Sequence, residues 1–157
     1  MAIYEKKGSL LDADVEYYCH QVNCQGRMRS GIAKAIREKW PKVYDKYTEL
    51  YQQYLTKPHG VTPLLGTVQV VDVGGKCVIN MFAQQFYGYD GKRYTSYDAF
   101  WSCLGQIREQ VPKGSKIGFP ANIGCGLGGA DWTVISAMIF ATLVDDYEVY
   151  IYELENK

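Results

Sequence analysis

The chain has 157 residues, and 47% of them are apolar, which is typical of a soluble globular domain and excludes a disordered chain. Seventeen Lys and Arg residues balance seventeen Asp and Glu residues, which excludes a broad basic face for sequence-independent nucleic-acid binding. We therefore expect one domain over residues 1–157, in which any anion site is local.

The first half of the chain predicts two strands followed by two helices. Residues 2–6 and 15–22 are rich in tyrosine and β-branched residues, as strands are. A loop after residue 22 leads through Gly31 into the good helix formers of residues 32–40. Pro41 then begins a second helix that ends near Leu55. Its apolar residues recur at the spacing of one buried face: Val43, Tyr47, Leu50, Tyr51 and Tyr54.

The second half of the chain begins with a predicted hairpin. Residues 67–73 and 76–82 are β-branched runs separated by Gly74-Gly75, the signal of two antiparallel strands. Thr95 or Ser96 then caps a third helix, whose stripe is Phe100, Leu104, Ile107 and Val111. The remaining elements are a strand over 117–120, a helix over 132–144 capped by Asp131, and a strand over 147–154.

This order of elements, ββααββαβαβ, predicts a mixed sheet with helices on both faces. In such sheets, ligands bind beyond the carboxyl ends of the strands, where loops lead into helices. Two segments fit this description, the first loop (residues 23–33) and the second loop (residues 123–132).

Both loops are rich in glycine, and each opens a helix. The second has four glycines in six residues, from Gly124 to Gly129. Glycine lets a ligand approach the main chain, and a helix N-terminus adds the positive end of its dipole. Two such loops side by side predict a cradle for a diphosphate, although either loop alone can be read as a tight turn. Neither carries the phosphate-loop motif of ATPases.

No stretch has the length of a signal peptide's apolar run or of a membrane-spanning helix, so we expect a cytoplasmic protein with no membrane partner. The five cysteines form no CxxC pair, and only two histidines accompany them. Zinc and a disulfide framework are therefore not expected, and no metal or cofactor is required. The balanced charge favours a monomer.

Five stretches together resemble the macrodomain family: HQVNCQG, SGIAKAIREKWP, NMFAQ, GKRYTSYDAF and IGCGLGGADW. The resemblance runs from about Ile3 to Leu154. It is closest to the branch of the ADP-ribose 1″-phosphate phosphatases and the terminal ADP-ribose protein glycohydrolase. It implies a three-layer α/β/α macrodomain with a central mixed sheet of about six strands and an ADP-ribose site along the crest of that sheet.

The resemblance also implies which residues contact ADP-ribose. The residues near the adenine would be Gly8, Ser9, Leu10 and Val22. Those of the first loop, near the diphosphate and distal ribose, would be Asn23, Cys24, Ser30, Gly31, Ile32 and Ala33. Those of the second loop would be Ile123, Gly124, Cys125, Gly126, Leu127, Gly128, Gly129 and Ala130.

Three places in the sequence depart from the family pattern. Ser9 stands where many macrodomains carry an Asp that accepts the adenine amino group, so adenine selectivity is weaker or comes from Asp12 or Asp14. The glycohydrolase uses a lysine after the hairpin and an Asp within the second loop. At the nearest positions this chain has residues 83–85 and Gly128. This difference puts lysine-adduct chemistry in doubt.

His20 and Asp131 are the candidate catalytic residues. His20 lies on the strand that runs into the first loop, and Asp131 closes the second. The fold can therefore bring them to opposite sides of one distal pocket to activate and orient a water. The alternatives are a hydrogen-bonded core histidine and a helix N-cap. Arg27 and Arg29 either recognise a terminal phosphate or form a solvated surface pair. Asn23 either positions the distal ribose or braces its loop.

Other side chains near the loops offer weaker signals. Cys24 and Cys125 are small packing residues or, less favoured, thiol nucleophiles activated by helix N-termini. Tyr87, Tyr94 and Tyr97 stack on or fence the distal ribose, or pack beneath a helix.

The leading function from the sequence is ADP-ribose binding with removal of phosphate from ADP-ribose 1″-phosphate. One alternative is removal of ADP-ribose from a modified protein or nucleic acid, and another is a non-catalytic reader of ADP-ribose. The expected partners are ADP-ribose, its 1″-phosphate and ADP-ribosylated macromolecules.

Overall fold

One six-stranded sheet crosses the molecule in the computed structural model, which describes residues 2–29 and 31–154. Its strands are β1 (Ile3–Lys7), β2 (Tyr17–Val22), β3 (Val68–Asp72), β4 (Cys77–Phe82), β5 (Lys116–Pro120) and β6 (Glu148–Glu153). They lie in the order β1-β6-β5-β2-β4-β3. Only β3 is antiparallel to its neighbour, so the carboxyl ends of the other five strands share one edge.

Four helices pack against this sheet, and their ends follow the local sequence. They are α1 (Gly31–Lys39), α2 (Pro41–Leu55), α3 (Tyr97–Gln110) and α4 (Trp132–Leu143). Pro41 occupies the first turn of α2, where its missing N–H is not needed. Ser96 caps α3 by accepting a hydrogen bond from the backbone N–H of Ala99 at 3.1 Å. Both α1 and α4 begin at the edge where the strands end.

The two faces of the sheet bury separate apolar cores. Because side chains alternate along β2, Tyr18 and Val22 pack with the residues of α1 and α2, whereas Cys19 packs with those of α3 and α4. Helices therefore cover both faces, which confirms the predicted three-layer α/β/α architecture with six strands.

The predicted elements agree with the structure to within two residues at their ends. The hairpin around Gly74-Gly75 is antiparallel as predicted. Two short 3-10 turns, Leu10–Asp12 and Thr62–Leu64, were not predicted. All five cysteines are free, and among the described residues no helix has the length and apolar character needed to cross a membrane.

Candidate binding cleft

A cleft of about 850 Å³ lies along the carboxyl edge of the sheet, with the first and second loops on its sides. The cleft runs across the strands, so one of its ends lies beside β6 and the other beside β4. The β6 end is formed by Ser9, Leu10, Leu11, Tyr152, Glu153 and Leu154. The β4 end is formed by Gln84, Tyr87, Gly88 and Tyr89. The cleft is thus at the place where open α/β sheets bind ligands.

Most of the residues predicted to contact a ligand line this cleft. They are Ser9, Leu10, Val22, Asn23, Gly31, Ile32, Ala33, Ile123, Gly124, Gly126, Leu127 and Gly128. Five others do not line it, namely Gly8, Cys24, Cys125, Gly129 and Ala130. Ser30 lies outside the described residues.

The five residues away from the cleft have structural contacts instead. The backbone N–H of Cys125 donates to the carbonyl of Asn122 at 2.9 Å. Cys24 is fully buried in the core beneath the first loop, and Ala130 is buried beneath the second. The backbone N–H of Gly8 donates to the carbonyl of Glu153 at 2.9 Å. A Cβ atom on Gly129 would lie 2.9 Å from the main chain of Arg93, so this glycine permits a close approach between two segments.

The start of α1 is the first set of donors in the cleft. Gly31 has a φ of +58° and is the first residue of the helix. The N–H groups of Gly31, Ile32 and Ala33 belong to the first turn and have no acceptor within the helix. All three residues line the cleft, where the positive end of the helix dipole favours an anion.

The second loop presents another set of donors. Its turns are closed by hydrogen bonds from the N–H of Gly129 to the carbonyl of Gly126 at 3.1 Å and from Ala130 to Gly124 at 2.9 Å. The N–H groups of Gly126, Leu127 and Gly128 have no acceptor among the described residues, and these residues line the cleft. Successive free N–H groups in such a turn form a concave anion site.

Thr95 and Gln21 support the second loop from beneath. Thr95 is 2% exposed; its Oγ1 donates to the carbonyl of Gly124 at 2.8 Å and accepts from Gln21 Nε2 at 2.7 Å. Gln21 Nε2 also donates to Gln84 Oε1 at 2.7 Å. A Cβ on Gly128 would lie 2.5 Å from both Thr95 Oγ1 and the carbonyl oxygen of Gly124. The loop is therefore packed too closely to accept a side chain at Gly128.

Side-chain hydrogen bonds hold the first loop. Asn23 Oδ1 accepts from the N–H groups of Gln25 at 3.0 Å and Arg27 at 3.4 Å, and its Nδ2 donates to the carbonyl of Arg27 at 3.0 Å. These contacts confirm that Asn23 braces its loop. Arg27 and Arg29 both line the cleft, as recognition of a terminal phosphate requires.

The structure does not bring His20 to the cleft. The residue is fully buried, and its Nε2 lies 2.5 Å from the acceptor Oδ1 of Asn80. Asn80 Nδ2 in turn donates to Gln69 Oε1 at 3.0 Å. Burial lowers the pKa of His20 to about 4 despite the opposing bond to Asn80. Since alternation along β2 points His20 toward the α1 and α2 core, the expectation that it faces a distal pocket is wrong, and it is a core histidine.

Asp131 is the N-cap of α4. Its carboxylate accepts from the N–H of Thr133 at 2.8 Å, and its own N–H donates to the hydroxyl of Tyr97 at 2.9 Å. The residue is exposed and does not line the cleft. The N-cap is confirmed, and the pairing of Asp131 with His20 in one pocket is not observed.

Neither cysteine of the two loops is an activated thiol. Burial raises the pKa of Cys24 to about 12 and, together with the charge of Asp131, that of Cys125 to about 11. Both thiols are therefore protonated near neutral pH, as inert packing residues are.

The β6 end of the cleft has few free polar groups. Ser9 Oγ accepts from the N–H of Leu11 at 3.2 Å and so caps the 3-10 turn. Asp12 and Asp14, the other candidates for recognising an adenine, do not line the cleft. Glu153 is the only carboxylate among the described residues that line it, and it pairs with Lys7 at 2.5 Å.

Aromatic rings border the β4 end. Tyr87 lines it as predicted, whereas Tyr94 donates to Asp90 at 2.8 Å and Tyr97 accepts from the backbone of Asp131. Tyr89, which is 69% exposed, lines this end and was not predicted. Among the described residues, no cluster of three or more His, Cys, Asp or Glu side chains has the arrangement of a metal site.

Comparison with known proteins identifies a family that covers both loops and one relative with a shorter match. A family model described as the macro domain matches residues 19–139. An ADP-ribose 1″-phosphate phosphatase of Aspergillus oryzae is 40% identical over 58 residues. That match covers 36% of this chain and only 29% of the relative.

Two solved structures share the fold over nearly the whole chain. The macrodomain of DarG from Mycobacterium tuberculosis is 26% identical, with 96% of each chain covered and a TM-score of 0.75. DarTG of Thermosipho africanus, solved in complex with ADP-ribose, is 18% identical with a TM-score of 0.73. The latter match covers 96% of this chain and 41% of the other, and it shows the fold alone.

Proposed function

This chain belongs to the macrodomain family, and we propose that its cleft binds ADP-ribose and that the protein removes the phosphate from ADP-ribose 1″-phosphate. The observation that carries the proposal is the placement of two sets of backbone donors on opposite sides of one cleft. One set lies at the start of α1, and the other lies in the second loop. The short match to a phosphatase of Aspergillus oryzae supports the choice of substrate.

The volume of the cleft, about 850 Å³, accommodates a dinucleotide-like ligand around those donors. A diphosphate at the centre would accept hydrogen bonds from Ile32 and Ala33 on one side and from Leu127 and Gly128 on the other. The adenosine would then occupy the β6 end, where Leu10 and other apolar side chains line the wall. The distal ribose would lie at the β4 end. The cleft volume falls within the range of pockets that enclose ligands of this size.

Arg27 and Arg29 supply the charge that a 1″-phosphate requires. Both line the cleft on the first loop. A phosphate monoester carries between one and two negative charges at neutral pH, and the planar guanidinium group matches its oxygens with paired donors. The arginines thus distinguish this cleft from one that binds only the diphosphate.

Phosphate removal needs little from the protein beyond placement and charge. A water oxygen forms a bond to phosphorus as the bond from phosphorus to O1″ breaks. One proton of that water ends on O1″ and the other stays with the phosphate, which gives ADP-ribose and inorganic phosphate. Such transition states are loose, with charge spread over the phosphoryl oxygens, so fixed donors supply most of the catalysis. The backbone N–H groups and the two arginines are donors of this kind.

Cleavage of ADP-ribose from a macromolecule makes a different demand. Positive charge develops at the anomeric carbon in that reaction, and glycosidases stabilise it with carboxylates. Among the described residues, the only carboxylate that lines the cleft is Glu153, at the β6 end and paired with Lys7. The described cleft therefore favours phosphate removal over glycosidic cleavage.

A non-catalytic ADP-ribose reader is the second candidate. It is favoured by the burial of His20 and by the position of Asp131 outside the cleft. Among the described residues that line the cleft there is therefore no histidine, and the only carboxylate is that of Glu153.

Phosphorus NMR of stoichiometric protein with ADP-ribose 1″-phosphate tests binding and turnover together. We expect shifted diphosphate signals followed by the appearance of free phosphate, with release slowed at least tenfold in a double Arg27→Ala, Arg29→Ala variant. Shifted signals without free phosphate would identify a reader. Unshifted signals would show that the protein does not bind this ligand.

A further inference from the structure

One tyrosine of α2 holds the first loop in place. Tyr47 is fully buried, and its ring stacks on Phe82 with centroids 5.8 Å apart. Its Oη lies 2.7 Å from the carbonyl oxygen of Asn23 and 2.8 Å from Asn23 Oδ1. It also accepts a hydrogen bond from the backbone N–H of Arg27 at 3.2 Å. A single hydroxyl therefore joins both ends of the turn from Asn23 to Arg27.

These contacts fix the main chain of Arg27 on both sides. Its N–H is shared between Tyr47 Oη and Asn23 Oδ1, while its carbonyl accepts from Asn23 Nδ2 at 3.0 Å. Arg27, fixed in this way, is one of the residues that line the cleft. Burial raises the pKa of Tyr47 well above its usual value, so the hydroxyl remains a donor at every physiological pH.

A second tyrosine, one turn further along α2, also packs against the first loop. Gly26 has a φ of +74°, and a Cβ atom there would lie 2.8 Å from the ring of Tyr51. The conformation of the first loop is thus determined by two tyrosines of α2. The packing of α2 on the sheet consequently sets the position of an arginine in the cleft.

We propose that Tyr47 is a positioning residue that places Arg27 and thereby sets the preference of the cleft for a ligand with a terminal phosphate. This inference rests on the proposed function, in which Arg27 contacts that phosphate. It assigns no contact between Tyr47 and the ligand. Loss of the hydroxyl should therefore affect recognition of the phosphorylated ligand much more than recognition of ADP-ribose.

A double-mutant cycle between Tyr47 and Arg27 tests the inference. The probes are ADP-ribose and its 1″-phosphonate, in which a methylene group replaces the bridging oxygen and prevents cleavage. We expect Tyr47→Phe to weaken phosphonate binding about tenfold and ADP-ribose binding less than threefold, as measured by calorimetry. We expect Arg27→Ala to weaken phosphonate binding at least as much. Because Tyr47 acts through Arg27, the double variant should bind the phosphonate no more weakly than Arg27→Ala alone.

Tyr147→Phe is the matched control. Tyr147 is also fully buried, and its hydroxyl donates to the carbonyl of Val111 at 2.7 Å in the other core. Both substitutions remove one buried hydroxyl and should lower Tm to a similar extent. Only Tyr47→Phe should change the ratio of the two affinities, and only it should speed amide hydrogen exchange at Arg27.

Four outcomes would overturn the inference. Equal weakening of both ligands by Tyr47→Phe, or additive effects in the double variant, would reduce Tyr47 to a structural role. A wild-type protein that binds ADP-ribose with no preference for the phosphonate would refute the inference and leave ADP-ribose binding intact. A wild-type protein that binds neither probe would refute the proposed function as well.

Discussion

The two loops of the cleft offer similar donors to a ligand but are held in different ways. Side chains hold the first loop, where Asn23 and Tyr47 make hydrogen bonds to the main chain of Arg27. Main-chain turns, the Thr95 hydroxyl and close packing hold the second, where Gly128 leaves no room for a Cβ atom beside Thr95. The first loop is therefore the more sensitive to the removal of a polar atom, whereas both loops contain a glycine, Gly26 or Gly128, at which an added carbon would clash.

The same contrast extends to the strands that lead into the loops. β2 carries His20 in a buried polar chain with Asn80, whereas the buried residues of β5 are Ile117, Gly118 and Phe119. Polar contacts specify geometry but introduce dependence on pH, while apolar contacts do not. As the pH is lowered, β2, which leads into the first loop, should therefore be destabilised before β5, which leads into the second.

The largest expected effect is a pH dependence of stability from His20. Its pKa is about 4 in the folded protein against 6.5 when unfolded, so between these values the unfolded chain binds more protons. The free energy of unfolding should fall by about 3 kcal/mol as pH is lowered from 6.5 to 4, and the contribution should be complete above 6.5.

Urea titrations of the wild-type protein and a His20→Gln variant across this range measure that contribution. Substitution at the exposed His59 by Gln is the control and should keep the wild-type slope. If the free energy of unfolding of His20→Gln fell with pH as steeply as that of the wild type, this result would contradict a neutral, buried His20.

Gly128→Ala should give the next largest effect. The added methyl would lie 2.5 Å from Thr95 Oγ1 and from the carbonyl oxygen of Gly124, and such overpacking costs about 1–3 kcal/mol. If the second loop moves to relieve the clash, ADP-ribose affinity should fall roughly 10- to 100-fold by calorimetry.

Gly105→Ala is the control for an added methyl. Gly105 lies within α3, where a Cβ would meet nothing within 4 Å. This variant should keep its affinity and gain up to about 1 kcal/mol in stability. A Gly128→Ala variant that also keeps full affinity would show that the second loop is not a close-packed ligand cradle.

Asn23→Ala should loosen the first loop because it removes the side-chain amide that makes hydrogen bonds across the turn. It deletes the acceptor for two backbone N–H groups and the donor to the carbonyl of Arg27. We expect roughly tenfold weaker binding, since each hydrogen bond lost contributes about 0.5–1.5 kcal/mol to holding the loop. The comparison variant is Gln25→Ala, which loses a hydrogen bond to Gln85 but leaves Arg27 anchored. Equal effects from the two substitutions would contradict the anchoring role.

The smallest expected effect is that of Asp131→Asn. Asparagine also caps helices well, so the bond to the N–H of Thr133 should persist and Tm should change little. Because Asp131 does not line the cleft, phosphate release should change by less than about threefold. A hundredfold slower reaction at unchanged Tm would instead establish the carboxylate as catalytic.

Local signals in the sequence were sufficient to predict the strands, the four helices and both loops, although not the two 3-10 turns. The Gly74-Gly75 hairpin and the caps at Ser96 and Asp131 each depend on a few neighbouring residues. The positions of glycines in the second loop likewise indicated where a ligand can approach the main chain. These features need no knowledge of which strands become neighbours.

Long-range contacts account for what the sequence did not reveal. Gln21 and Gln84 lie in two of the stretches that resemble the family, but the sequence assigned neither a role, and they meet across 63 positions in the chain. Tyr152 reaches the cleft only because β6 lies beside β5. The face of β2 that holds His20 was also ambiguous, because residues on both sides of that strand are buried.

Amide NMR of the free and ADP-ribose-bound protein tests most directly whether the two loops form one cradle. We predict that the N–H signals of Ile32 and Ala33 in the first loop shift together with those of Gly126, Leu127 and Gly128 in the second, at the same ligand concentration. Shifts confined to one loop, or absent from both, would contradict a diphosphate held between them.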